Sequence, residues 1–176
     1  MLSAGKVVGV YQDRTKHRFA AYAAGPTTLD WDARPEPFRH YAGAPVITLP
    51  LARADALSSA PAGPAAPDLA SIGALLHLSF GLTAWKSLGP DRWAVRANPS
   101  SGNLHPVEAY VLVAGVAGLD DGLYHYLPDR HALELRAQHP QPFAAGPALA
   151  VGLTTVMWRE AWKYGERAFR YCQLDT

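Results

Sequence analysis

The sequence predicts an α+β fold, an antiparallel-rich sheet flanked by helices and preceded by an extended N-terminal arm. Three observations predict it. Between residues 107 and 136, strand-forming runs alternate with turn residues, Asp120-Asp121-Gly122 and Pro128-Asp129-Arg130, as in an antiparallel meander. A helical pattern precedes this meander, with Leu69, Ile72, Leu75, Leu76 and Phe80 at helical spacing behind Asp68. A second amphipathic pattern follows it from about Trp158. Helices before and after a meander, rather than between its strands, define the α+β class.

Residues 1–57 read as the arm. Gln12 to Arg18 is strongly polar, and Leu29 to Tyr41 alternates prolines with aromatics, so neither a regular helix nor a strand is expected. Trp31, Phe38 and Tyr41 would anchor this arm on another surface. Val46 to Pro50 fits a short edge strand ended by its proline. Residues 58–67 are a Pro/Ala-rich connector. Residues 68–176 form the main lobe. Its first helix has Asp68 as N-cap and Gly81 as C′ residue. His77, within that helix, fits a partly buried structural role. Trp85 to Asp91 reads as a loop, and Arg92 to Arg96 leads into the central stretch. Strands are expected at 107–116, 123–126, 132–136 and, after a Pro/Gly-rich loop at 138–147, over 148–157.

In the last helix, Trp158, Ala161, Trp162, Gly165, Phe169 and Cys172 share one face, while Arg159, Lys163, Glu166, Arg167 and Arg170 occupy the others. Glu166 and Arg170 form an i, i+4 pair. No stop signal appears before Thr176, so the helix, and the lobe with it, reads as truncated, part of a longer chain.

The totals bound the function. With 176 residues, 49% hydrophobic and 18% charged, the chain is long and apolar enough for one domain with a core. A net charge of +1 argues against nucleic acid as the main partner. No apolar run is long enough for a signal peptide or a membrane span, and the single cysteine, Cys172, forms no internal disulfide; a cytoplasmic protein is expected. No dinucleotide fingerprint, P-loop or nucleophile elbow is present. The histidines lack the paired spacing of a zinc site, so no metal site is assigned.

The chemistry concentrates in Pro99-Ser100-Ser101-Gly102-Asn103-Leu104-His105-Pro106, a Pro-bounded polar loop that feeds the strand from Val107. Its small residues let backbone N–H groups approach a ligand closely, and two hydroxyls, an amide and an imidazole stand beside them. Such a loop can hydrogen-bond the edge of a flat polar heterocycle, and Arg96 adds a charge suited to a phosphate. The same composition is also ordinary turn chemistry.

With this loop and the last helix in hand, the chain resembles nitroreductase-fold flavoproteins, and more narrowly the SagB-type dehydrogenase branch. Arg96 to Pro106 is similar to the family's flavin-contacting loop. Trp162 to Tyr171 is similar to the helix that carries a Lys-Tyr pair in azoline-oxidising members. Thr15-Lys16-His17, Leu29-Asp30-Trp31 and Pro37-Phe38-Arg39 are similar to the arm of two-lobed members. The resemblance implies FMN as cofactor, bound at a homodimer or pseudo-dimer interface with a second lobe, and contacted by Arg96, Pro99, Ser100, Ser101, Gly102, Asn103 and His105. It implies Lys163 and Tyr164 as catalytic residues moving a proton to or from the substrate. That role asks for a lysine loosened by burial or by neighbouring cations, and Arg159 and Arg167 lie four residues to either side. The plainer alternative is a solvated Lys163 and a packed Tyr164. The family's Arg-Ser-x-Arg phosphate motif is not present, and Lys86 or Arg92 is left to take its place.

Two functions follow from this resemblance. One is an FMN-dependent oxidoreductase that transfers hydride through the flavin, a SagB-type dehydrogenase or a nitro or quinone reductase. It would act on a small-molecule or peptide-derived substrate, with NAD(P)H as a candidate donor. The alternative is a cofactor-less nitroreductase-like lobe that serves as a binding or dimerisation module.

Overall fold

The computed structural model describes residues 3–51, 65–138 and 144–176. Its main sheet has five antiparallel strands in the order β1-β6-β5-β4-β7. These are β1 (Val46–Thr48), β4 (Val107–Ala114), β5 (Gly122–Leu127), β6 (Ala132–Gln138) and β7 (Ala148–Thr155). The predicted meander β4–β5–β6 is present, β1 is the edge strand beside β6, and β7 closes the other edge beside β4.

Alternation along the strands gives the sheet two different buried faces. On one face Ala109, Val111, Val113, Tyr124, Tyr126 and Leu133 form the core with Ile72 and Leu76 of α2 (Leu69–Phe80). Asp68 caps α2 in a capping box: its side chain accepts from the Ser71 N–H, and the Ser71 hydroxyl accepts from the Asp68 N–H. Gly81 ends the helix in extended conformation (φ −66°), not in the left-handed conformation of the usual C′ glycine. What requires glycine there is the close approach of His77, whose carbonyl a Cβ would strike. On the opposite face of the sheet stand Glu108, Tyr110, His125 and Glu134, covered by the arm and by the C-terminal helices.

Several expectations are corrected. The arm is not irregular throughout, because Ala4–Thr15 form helix α1. The polar stretch from Gln12 supplies its docking side: Arg170 donates to the Thr15 hydroxyl at 2.9 Å and Arg14 pairs with Glu166 at 2.8 Å. The expected loop at 85–91 is instead a hairpin of β2 (Leu82–Leu88) and β3 (Asp91–Arg96), turned by Gly89 at φ +58° and Pro90.

The last helix is broken. α3 (Met157–Tyr164) and α4 (Ala168–Asp175) are separated by a 3-10 turn at Gly165–Arg167, where Gly165 has φ +54°. The break disrupts the expected single face. Trp162 and Cys172 are buried but Trp158 and Phe169 are exposed, while Arg159, expected on a polar face, is buried. Glu166 and Arg170 do not pair with each other; both turn to α1. The connector at 58–67 lies outside the described residues up to position 64, as does the 138–147 loop over positions 139–143.

Candidate functional site

The loop after β3 is clamped from two sides. The Ser101 N–H and hydroxyl both donate to the Asp175 carboxylate at the end of α4, at 2.8 and 2.9 Å. The Ser100 hydroxyl accepts from the His105 N–H at 2.7 Å, and the Asn103 amide donates to the Ala94 carbonyl at 2.8 Å. Between these ties the backbone takes three left-handed conformations, at Gly102 (φ 66°), Asn103 (φ 59°) and His105 (φ 50°). Such concentrated backbone strain persists only where surrounding contacts impose it, and it is common at ligand sites. Only glycine fits at position 102 for a second reason. A Cβ there would lie 2.6 Å from the Tyr164 hydroxyl and 3.0 Å from Lys163 Nζ. Residues 61 positions apart are thus in contact, and the loop meets the Lys-Tyr pair.

A cleft of about 500 Å³ opens at this contact. Gly102, Asn103 and Lys163 form one side, Trp31 and Arg34 of the arm another, and Arg92 and Trp93 of β3 a third. A second hollow of about 430 Å³ shares Trp31, Arg34, Arg92, Trp93 and Asn103. In the first hollow, aromatic walls with three cations against one carboxylate, Asp91, suit a flat, anionic ligand; in the second, Asp32 and Glu36 match the two arginines. Arg92 lies over the Trp85 ring at 4.1 Å and reaches both hollows; Lys86 lines neither. Trp31 meets Trp162 edge-on at 5.2 Å, and the Trp162 indole N–H donates to the Asp30 carbonyl, which fixes the arm against α3.

Of the sequence-predicted residues, Gly102, Asn103 and Lys163 line this cleft, and Tyr164 contacts Gly102. Ser100 and Ser101 hold the loop through the bonds described above. Arg96 and His105 are buried and line neither hollow. The Arg96 guanidinium donates to the Pro37 carbonyl and lies over the Phe38 ring at 4.8 Å. Burial brings it down to about 10, with Glu108 pulling the other way. Burial and the nearby Arg96 charge hold His105 down to about 4, so its imidazole is neutral at physiological pH. The two arginines expected to flank Lys163 have other partners. Arg159 binds Glu108 at 2.5 Å, and Arg167 donates to His17 at 2.7 Å and to the Tyr171 hydroxyl at 3.3 Å.

Two features escaped the sequence reading. The first is a buried chain of polar groups. Arg159 donates to Glu108, the His105 carbonyl and the Glu36 carbonyl; His125 sits between Glu108 (2.8 Å) and Glu134 (2.7 Å); and Glu134 accepts from the Tyr41 N–H. Arg159 thereby joins the loop, the arm and α3 at one point. A signal existed: Glu108, His125 and Glu134 each stand between two hydrophobic residues within a strand, and His125 and Glu134 are register partners. The second is Glu160 on α3, fully buried with neither carboxyl oxygen bonded. Among the described residues no cluster of metal-ligating side chains forms, and no helix is long and apolar enough to cross a membrane.

No family model matches the chain. It is 27% identical over 119 residues to the protein named "Putative nitroreductase MJ1384" of Methanocaldococcus jannaschii, an alignment covering 61% of this chain and 57% of that one. The fold matches the crystal structure of a putative nitroreductase from Anabaena variabilis with a TM-score of 0.74 at 31% identity, over 96% of this chain and 36% of the other. The chain therefore spans little more than half of the first relative and about a third of the second. An Escherichia coli microcin synthetase complex is a remoter likeness, with a TM-score of 0.48 at 18% identity over 98% of this chain and 75% of that one, too distant to place the chain in a branch.

Proposed function

We propose that this chain carries the active-site lobe of an FMN-dependent oxidoreductase of nitroreductase type. The observation that carries the reading is the contact of Gly102 with Lys163 and Tyr164 at the edge of an aromatic, cationic cleft. The donor set fits a flavin mononucleotide: Trp31 and Trp93 offer flat walls, Arg34 and Arg92 suit its phosphate, and Gly102 and Asn103 bring the loop to its polar edge. The flavin, when bound, supplies the hydride chemistry.

The chain's own residues position and protonate. Asp175 and Arg159 hold the loop so that Gly102 stays against α3. Lys163 presents an ammonium to the cleft, where it can deliver a proton to a bound substrate or stabilise negative charge on it. Burial raises the Tyr164 hydroxyl above its ordinary range, so Tyr164 acts as a neutral hydrogen-bond donor, not as a phenolate. The reading covers either a SagB-type dehydrogenase acting on a peptide-derived heterocycle or a nitro or quinone reductase, the second with NAD(P)H as the donor, and in both a second lobe or copy would complete the flavin's surroundings.

Burial of Arg96 and His105 favours a second reading, a lobe without cofactor that serves as a binding or dimerisation module. The visible spectrum of the purified protein separates the two. A flavin spectrum releasing free FMN supports the enzyme. A colourless protein that takes up no added FMN supports the module.

A further inference from the structure

Glu160 is 0% exposed on α3, one turn before Lys163 and Tyr164. Neither of its oxygens accepts a hydrogen bond. A buried carboxylate with no partner is costly, whereas the neutral acid is tolerated. Nearly every other buried acid here is paired: Glu108 and Glu134 share His125. The groups facing Glu160 are few. α4 brings Asp175, held by Ser101 of the loop, and the Cys172 thiol; its own helix brings Lys163 and Tyr164. Among the described residues only Lys163 is cationic there. Residues three apart on a helix are surface neighbours, so the acid and the amine lie within electrostatic reach.

We propose that Glu160 is a positioning residue for Lys163, a buried acid that keeps its proton in the resting site and resupplies it when Lys163 gives one up. This deepens the proposed function, because it needs Lys163 to be the group that handles the proton. In the step, Lys163 first loses a proton from its ammonium to the molecule in the cleft. Lys163 Nζ then turns back to the carboxyl one helical turn away, the O–H bond of Glu160 breaks and an N–H bond forms at Nζ, leaving a carboxylate beside a restored ammonium. The carboxylate recovers its proton from Lys163, which in turn takes one from water once the cleft empties. Glu160 remains sealed throughout and touches no substrate. Burial first, and then the Asp175 carboxylate, push its carboxyl up to about 8, with Lys163 opposing; this agrees with a stored proton at neutral pH.

Two measurements on the ligand-free chain test the proposal. In the wild type, a carboxyl-carbon NMR titration should show Glu160 changing near pH 8, while exposed glutamates change near about 4.3. A Glu160 signal in the ordinary range overturns the proposal. The second measurement is the rate at which an amine-reactive reagent labels Lys163, followed by mass spectrometry in wild type and Glu160→Gln. The two rates should agree below about pH 6.5. Above about pH 9 the variant should be labelled at least about threefold faster, since it lacks the carboxylate that holds the ammonium. Superimposable profiles overturn the proposal, and a merely structural Glu160 would give them. Neither measurement uses FMN. Failure of the protein to bind flavin would sink the cofactor reading and leave these results standing; an ordinary Glu160 would do the reverse.

Discussion

Glu108 and Glu160 are both sealed from solvent, at 1% and 0% exposure, yet their surroundings drive them to opposite states. At Glu108, burial alone would favour the neutral acid, but hydrogen bonds from His125 and Arg159 and the Arg159 charge outweigh it and hold the carboxyl below its ordinary range. At Glu160 burial prevails: Asp175 adds to it, and Lys163 opposes without outweighing the two. The comparison separates two uses of a buried acid. Glu108 is a structural anion: with Arg159 it ties β4, the loop carbonyl of His105 and the arm together. Glu160 is placed where a proton can be kept, on the same helix as Lys163 and Tyr164. A satisfied network rigidifies, whereas an unsatisfied group must answer to charge.

The comparison can be broken most severely at the anion. Glu108→Gln leaves Arg159 buried without its counter-charge. A loss of about 3–5 kcal/mol is expected, read as a fall in Tm of roughly 10 °C. A loss under about 1 kcal/mol would mean that the pair is not the anchor. Glu160→Gln should behave in the opposite way. The folded carboxyl titrates at about 8 against an ordinary 4.5, so its neutral form favours the native state fully below 4.5. That contribution is lost as pH rises through 8. Wild type should therefore lose Tm toward alkaline pH relative to the variant, by about 5 °C or more, while the two coincide in acid. Parallel melting curves at all pH values would erase the distinction between the two acids.

Smaller effects test the surroundings. Gly102→Val places a β-branched side chain at φ +66° against the Tyr164 hydroxyl. It should cost about 1–3 kcal/mol and abolish any ligand affinity of the cleft, as followed by chemical denaturation and ligand titration. Arg14→Ala removes an exposed pair with Glu166 and should change stability by less than about 1 kcal/mol. A larger effect would make the docking of α1 as important as the buried network.

What was legible in the sequence follows the same physics. The meander and β7 were readable because each strand is a run of strand-forming, largely apolar residues and turn or loop residues separate them. α2 was readable from Asp68 and its apolar stripe. α1 was not, because Val7, Val8 and Val10 stay exposed and the helix docks through Tyr11, Arg14 and Thr15, polar groups that carry no hydrophobic period. β2 was missed because its residues are largely exposed, so it shows no buried face. The break at Gly165 lies in a residue that tolerates either helix or φ > 0, and composition does not choose between them. At the site, the loop stood out by its composition and the Lys-Tyr pair by resemblance. Their contact through Gly102 required the fold. Arg96 read as a phosphate ligand because it is a cation near a polar loop; the arm covers it, and nothing local to position 96 announces that. Glu160 was invisible for a similar reason, since an acid in an amphipathic helix reads as solvated until α4 folds back over it.

The most direct test of the central claim, that loop, arm and α3 build one flavin cleft, is an FMN titration of the wild-type chain followed by quenching of flavin fluorescence. Saturable quenching with micromolar or tighter affinity, lost in Gly102→Val, is the predicted result. A wild-type chain that leaves FMN fluorescence unchanged at all concentrations would contradict it.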